Sequence, residues 1–369
     1  MSAAAPARIA SLDAFRGFAI ASMVLVNNPG DWGHLYGPLE HAQWNGWTFT
    51  DTVFPFFLFA AGMAMAVSLD RRLRAGDDRT RLLVSVLRRA LVIFGVGLLL
   101  NLFPSFDFGT VRIPGVLQRI ALCIAIAAPI VIYGRTRAIV AAVTILAALY
   151  SVLMLFVAVP GPDGVVAAGL LEPGRDFGAW LDRKLLDGHL WSQSKTWDPE
   201  GLVSTLPAAC SLLLGVLAGR WVLRQPATRG TSVRLLFVGM IAFGLGGVMG
   251  FEFMPVNKNL WTPSYVVLMT GVAMMALAFF HATMDVHAFG RRLFLPFTIY
   301  GMNALFVFAF SGFVARLLIM GDTKRVLYAP IQSLPVSPET ASLLFAIAFD
   351  LAMFAVAWVL WKKRWFIRA

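Results

Sequence analysis

Apolar windows about twenty residues long recur along this chain, separated by shorter polar stretches. A hydrocarbon layer about 30 Å thick takes roughly 20 apolar residues per helix. Windows of that kind fall at 10–28, 48–69, 82–102, 115–133, 138–159, 201–222, 234–254, 263–282, 293–318 and 341–361. The pattern predicts an all-α fold, a polytopic membrane helix bundle of about ten transmembrane helices. The first window is short and polar at both ends, and the third opens with Arg88 and Arg89 inside it. The longest stretch between windows, about 160–200, contains Pro, Gly and one amphipathic piece, FGAWLDRKLL. Its length makes it a candidate lid over a site. A single membrane domain over 1–369 is the simplest organisation.

Composition agrees with the pattern. Hydrophobic residues make up 59% of the chain and charged residues 14%, with a mean hydropathy of +0.74, beyond the roughly 45–50% apolar share of ordinary soluble domains. A net charge of +11 would suit nucleic acid, but in a polytopic chain excess Lys and Arg marks cytoplasmic loops. No nucleic-acid partner is expected. With the N-terminus cytoplasmic, that side holds Arg8 and Arg16, the seven arginines between 71 and 89, Arg135 and Arg137. It also holds Arg220, Arg224, Arg229 and Arg234, then Arg291 and Arg292, and the final group Lys362, Lys363, Arg364 and Arg368, for 21 of the 31 basic residues. Both termini are therefore expected to be cytoplasmic. The opening MSAAAPARIASLDAFRG has no apolar core before a small-residue cleavage site, so no removable leader is expected. Cys123 and Cys210 lie among small and aliphatic residues, where a thiol behaves as a small hydrophobe.

The chemistry concentrates in residues 40–59, EHAQWNGWTFTDTVFPFFLF, on the extracytoplasmic side of this topology. Ionisable groups at the mouth of a lipid-spanning helix are costly unless paired or at work. His41 and Asp51 are the first candidates, with His41 able to take a proton or attack an acyl group and Asp51 to orient it. Trp44, Asn45 and Trp47 supply an aromatic wall and an amide. Asn27, near the end of the first window, either ends a helix or bonds a substrate carbonyl. Asp31, His34 and His41 have no metal-ligand spacing, and no metal is expected. Asp13 and Arg16 stand three apart and are expected to pair on one helical face.

Further polar groups sit at other window edges. Arg119 opposes the dipole at a helix start and calls for an anionic partner, a protein carboxylate or a ligand phosphate. Asp198 and Glu200 suit the start of the sixth window as helix-capping charges. Asn257, Lys258, Asn259 and Trp261 crowd the short outer loop PVNKNLWTPSY, which either binds a sugar or phosphate or stabilises a turn. Asn303 is read as a helix-to-helix hydrogen-bonding group.

The pieces SLDAFRG, VN, HAQWNGWTFTDTVFPFFLF, IPGVLQRIA, WDPEGLVSTLP, PVNKNLWTPSY and YGMNALFVF together resemble the heparan-alpha-glucosaminide N-acetyltransferase family of transmembrane acyltransferases. A wider class, acyltransferase family three, is similar only at the LDxxRG pattern of Asp13 and Arg16. The resemblance implies an enzyme that moves an acetyl group from acetyl-CoA to the amino group of a glucosamine unit. It maps the family's essential histidine to His41, its asparagine to Asn27 and its aspartate to Asp51. The large luminal N-terminal segment of the animal enzymes is not expected here, since only a handful of residues precede Ser11, and an amino sugar of the bacterial envelope or of sugar recycling is expected in place of heparan sulfate. An integral protein of a bacterial inner membrane follows, with a homodimer allowed.

Acyl transfer to an amine needs a base and donors for an oxyanion. His41 serves as that base or as an acetyl carrier, Asn27 and Asn45 as donors, and Trp44 or Trp47 as a platform. Asn257, Asn259 and Trp261 are expected at the substrate, and Arg119 and Lys258 at the phosphates of CoA. The rival reading is an amino-sugar permease, since a bundle of about ten spans with polar groups is also what a carrier needs. A purely structural membrane protein leaves the cluster around His41 unexplained.

Overall fold

A computed structural model describes residues 9–367; Arg8 and Arg368 of the basic-residue count lie outside the described residues. The helices run α1 (Ala10–Val26), α2 (Thr50–Arg74), α3 (Arg79–Leu102), α4 (Val116–Tyr133), α5 (Thr136–Phe156), α6 (Phe177–Leu186) and α7 (Thr205–Val222). They continue through α8 (Arg229–Glu252), α9 (Pro263–Phe280), α10 (Gly290–Leu293), α11 (Leu295–Met302), α12 (Ala304–Ile319), α13 (Thr323–Gln332) and α14 (Pro338–Lys362). A small antiparallel hairpin of β1 (Val159–Pro160) and β2 (Val166–Ala167) precedes α6. Nine stretches among the described residues are long and apolar enough to cross a membrane. The protein is a polytopic helical membrane protein.

Each of the ten hydropathy windows meets a helix, with two departures from uniform spans. The first is α1, which has only 17 residues, about 26 Å of rise. Most of its side chains are buried against neighbouring helices, so it need not match the lipid thickness alone. The second is the window at 293–318, which is broken at Asn303 into α11 and α12. Asn303 does not bond another helix. Its side chain binds the backbone of Trp365 and Ile367, beyond the end of α14.

Burial divides the helices into two shells. The crossing windows of α2, α7 and α9 are 72%, 78% and 67% buried, whereas those of α3, α5 and α8 are 22%, 22% and 17% buried. Lipid tails are as apolar as leucine, so inner contacts depend on close approach through small residues. Between α2 and α7, a Cβ on Gly62 would fall on the Leu212 carbonyl and one on Gly215 on that of Phe59. Between α1 and α11, Gly17 meets the Phe297 carbonyl and Gly301 that of Asp13. Arg16 adds a bond to its expected partner Asp13 at 3.2 Å and a second to the Gly301 carbonyl.

The connecting segments sort into two mutually bonded sets. On one face Gly46 N–H donates to the Val256 carbonyl at 2.7 Å, Ile113 N–H to that of His189 at 3.0 Å, and Gly30 N–H to that of Ser342 at 3.1 Å. On the other, Arg220 donates to Asp70 at 2.9 Å and to the Val131 carbonyl at 3.1 Å. There Arg229 bonds His287 at 3.1 Å, and the Ser11 hydroxyl donates to Asp285. This is the alternation that the basic-residue count requires, and it gathers the loop of His41 with residues 157–204 and 253–262.

Replacing Gly215 by Leu is expected to cost about 1–3 kcal/mol or more through overpacking. Gly244→Ala, where a Cβ meets nothing within 4 Å, should leave stability within error. Thermal unfolding of both variants in detergent, followed by tryptophan fluorescence, checks the contrast.

Candidate active site

The site is built around the first turn of α2. Asp51 is 1% exposed, yet both of its carboxylate oxygens are hydrogen-bonded. His41 Nδ1 lies 2.6 Å from Oδ1, and the N–H groups of Ala42 and Thr48 each donate to Oδ2 at 3.0 Å. The Asp51 main-chain carbonyl would ordinarily accept from residue 55, but residue 55 is proline and has no N–H. The Tyr265 hydroxyl of α9 donates to it instead at 2.5 Å. A carboxylate can only accept, so the His41 proton resides on Nδ1. Nε2 then carries the lone pair. The His41 side chain is 46% exposed, and Nε2 has no partner among the described residues.

Several predicted residues surround this pair. The Asn257 amide donates to Asn45 Oδ1 at 3.1 Å, tying the loop of His41 to the loop before α9. Asn257 is fully buried and also accepts from Leu260 N–H at 2.9 Å; its place is between the loops, while Asn45 is exposed with its amide hydrogens free. Trp44 donates from its indole to the Leu171 carbonyl at 2.7 Å and meets Trp197 edge-on. Residues 157–204 therefore reach the loop of His41 without burying His41 itself. Trp47 is exposed and sits against Phe243 of α8. Lys258 is half-buried, close enough to Asp51 and Glu200 for its charge to act on both. Asn27 is exposed as the C-terminal cap of α1. Asp31 pairs with His34 at 2.8 Å within its own turn, separate from the pair at Asp51.

Arg119 and Trp261 go elsewhere than the sequence suggested. Trp261 is fully buried, its indole donating to the Ser211 hydroxyl at 3.1 Å. The Arg119 guanidinium lies 5.2 Å from the centre of that indole ring, a cation–π contact. Arg119 is 1% exposed and donates to the Gly201 carbonyl and the Ser204 hydroxyl, with no carboxylate in contact. An exposed role at substrate or CoA phosphate does not fit either side chain, because neither reaches the surface.

Asp198 and Glu200 do not cap α7, which starts only at Thr205. They clamp Arg112 of the preceding outer loop instead, with bonds of 2.6 and 2.8 Å to Asp198 and 2.6 Å to Glu200. Burial opposes charge on Arg112, but the two carboxylates outweigh it and hold the guanidinium above its usual range. Burial likewise works to raise the Glu200 carboxyl, and Arg112, Lys258 and Arg119 together hold it low.

Sequence reasoning missed Tyr265, Arg112 and two carboxyls of α6. Asp176 and Asp182 line a cavity of about 20 Å³, room for about one water, together with Tyr150, Trp197, Ser204 and Asn259. Burial pushes Asp176 up to about 6. Burial, then the charges of Asp198 and Asp176, pushes Asp182 up to about 7 against the bond from Leu202 N–H. Only the amphipathic pattern of FGAWLDRKLL, with an aspartate among apolar positions, signals them in the sequence.

Residues 8–245 match the family described as "Heparan-alpha-glucosaminide N-acetyltransferase, catalytic". The human protein of that name is 31% identical over 358 aligned residues, covering 83% of this chain and 53% of the human protein. The mouse protein is 29% identical over 351 residues, covering 82% and 53%. The chain thus spans about half the length of the curated relatives it matches. The stretch matched to the family contains His41, Asp51, Arg112, Arg119 and Asp198.

Two outcomes are expected. Arg112→Ala strands two buried carboxylates, a loss of about 3–5 kcal/mol visible as a lowered melting temperature in detergent. The raised carboxyls of α6 bind protons more tightly in the folded state than at their ordinary value of 3.8. Their contribution is thus complete below about pH 4 and is lost as pH rises through about 6 and about 7. Melting temperature should fall across that window, and Asp182→Asn should flatten the fall; an unchanged slope in the variant would contradict the assignment.

Proposed function

Because this chain belongs to the heparan-alpha-glucosaminide N-acetyltransferase family, we propose that it is a membrane-embedded acyltransferase. It moves an acetyl group from acetyl-CoA to the amino group of a glucosamine-type sugar. The observation that carries this reading is the His41–Asp51 pair, with a buried carboxylate fixing Nδ1 and an open Nε2.

In direct transfer the sugar nitrogen attacks the thioester carbonyl and His41 Nε2 takes the proton that this nitrogen sheds. The carbon–sulfur bond breaks, and the proton passes from Nε2 to the departing thiolate. In the two-step alternative Nε2 itself attacks, CoA leaves as the thiol, and the amine then displaces imidazole from the acetyl group. Both routes pass through an oxyanion. Asn45 presents free amide hydrogens because Asn257 occupies its oxygen, and Asn27 is the second amide donor. Lys258 supplies positive charge beside the pair, available to the oxyanion or to a phosphate of the donor. Trp44 and Trp47 offer ring faces to the sugar or the pantetheine arm, and Asn259 lies at the neighbouring cavity. The segment at about 160–200 serves as the lid, touching the loop of His41 where Trp44 donates to the Leu171 carbonyl.

With the basic face cytoplasmic, His41 opens to the extracytoplasmic side, as in a bacterial inner membrane. Acetyl-CoA is made on the other side. Either the thioester arm reaches through the bundle, or the acetyl group crosses bound to the protein.

The break at Asn303 favours a second reading, an amino-sugar permease, because discontinuous spans are a common feature of carriers. Purified protein with acetyl-CoA and glucosamine is expected to release CoA in an acceptor-dependent way. His41→Ala should slow this by about two to four orders of magnitude, and Asp51→Asn should slow it while His41 remains. Folded protein that releases no CoA, yet accumulates unmodified sugar in sealed vesicles, would establish the permease instead.

A further inference from the structure

Beyond α14 the chain folds back and is fastened to the broken span by the Asn303 amide. Arg364 takes a left-handed backbone conformation at φ 55°, and Trp365 N–H donates to the Leu360 carbonyl at 2.9 Å. The Asn303 side chain then donates to the Trp365 carbonyl at 3.1 Å and accepts from Ile367 N–H at 2.8 Å. Asn303 is 2% exposed, so both halves of its amide depend on this segment. It also forms the joint between α11 and α12, its own carbonyl accepting from Val307 N–H at 2.9 Å.

The segment held in this way has two-sided chemistry. Lys362, Lys363 and Arg364 are exposed and form no ion pair with a carboxylate among the described residues. The Lys362 ammonium lies 4.2 Å from the centre of the Trp358 ring, and that of Lys363 lies 5.0 Å from the centre of the Trp365 ring. Trp365, Phe366 and Ile367 expose large apolar side chains beside these cations, continuing the exposed Leu351, Trp358 and Val359 of α14. Indole rings favour the boundary between headgroups and hydrocarbon, and clustered Lys and Arg just beyond a spanning helix attract anionic headgroups.

We propose that residues 358–367 form a binding site for the phosphate headgroups of anionic phospholipids, and that the Asn303 latch transmits its occupancy to the broken span. A soluble phosphate would satisfy the three cations but leave the apolar side chains of 365–367 in water; a lipid satisfies both. The latch gives the site a structural consequence. The α11 segment it fastens is the one packed through Gly301 onto α1, so a headgroup that holds the segment in place also holds that contact. This inference is independent of the chemistry proposed at His41.

The test uses the full chain in nanodiscs of phosphatidylcholine, with and without phosphatidylglycerol. Native mass spectrometry reads retained lipid, and thermal unfolding reads stability. Wild type should retain phosphatidylglycerol and melt several degrees higher with it, and the gain should shrink at raised salt. The variant K362Q/K363Q/R364Q should match wild type in phosphatidylcholine alone, which establishes its fold, and should lose both the retained lipid and the gain. Asn303→Ala should retain lipid and lose the gain. Equal lipid retention by the triple variant would overturn the site, and a full gain in Asn303→Ala would overturn the latch. If 3′-phosphoadenosine 5′-diphosphate reproduced the gain in phosphatidylcholine through the same three residues, the site would be one for a soluble phosphate and the lipid assignment would fall.

Discussion

Asp51 carries its charge where water does not reach, and the outer face of the bundle is arranged to make that tolerable. Burying a carboxylate is costly unless its lone pairs are occupied. Here the occupants are His41 and two main-chain N–H groups of its own loop. The same bonds that satisfy the charge therefore determine where His41 stands and which of its nitrogens holds the proton. Pro55 extends the arrangement by withholding a helical donor, which leaves the Asp51 carbonyl to Tyr265 and couples α2 to α9 at this point. The imidazole is thus presented by a folded loop whose shape is set by the needs of a neighbour.

Behind Tyr265 the support continues inward through aromatic contacts. Tyr265 meets Trp261 edge-on, Trp261 meets Phe54 of α2, and Arg119 covers the other ring contact. Two guanidinium nitrogens of Arg119 have no hydrogen-bond partner among the described residues, which places an incompletely satisfied cation in the interior near Asp182, Asp198 and Glu200. Around the rim, the Arg112 clamp and the Asn45–Asn257 bond join loops that are otherwise distant in the chain. The outer face owes its order to these few long-range polar bonds more than to regular structure.

What could be read in the sequence follows from how local each requirement is. A span of hydrocarbon demands a run of apolar residues, so helices are written locally and their windows met the structure closely. His41 and Asp51 were legible because histidine and aspartate are expensive at the mouth of such a run. The partners that return from far along the chain were not legible. Tyr265 reaches Asp51 across 214 positions and Arg112 reaches Asp198 across 86, and no local pattern announces either meeting. Direction was also hidden, since in NKNLWTPSY successive residues share one polar context while Lys258 faces the edge and Trp261 the core. The break at Asn303 left no trace in hydropathy because α11 and α12 are both apolar.

The division into an inner and an outer shell of helices bears on how the protein meets different membranes. Bilayers vary in thickness, and a helix facing lipid answers a mismatch by tilting or by distorting the lipid around it. The helices most exposed at the side of the bundle, α3, α5, α8, α12 and α14, supply neither Asp51 nor Tyr265; those come from α2 and α9, which are mostly enclosed. The outer helices differ in what they pass inward. α3 and α5 carry neither half of the Asp51–Tyr265 bond, whereas α8 is seated on α9 through Gly246 and Gly271 and touches the loop of His41 through Phe243 and Trp47, so a tilt of α8 is felt at the helix whose Tyr265 holds Asp51.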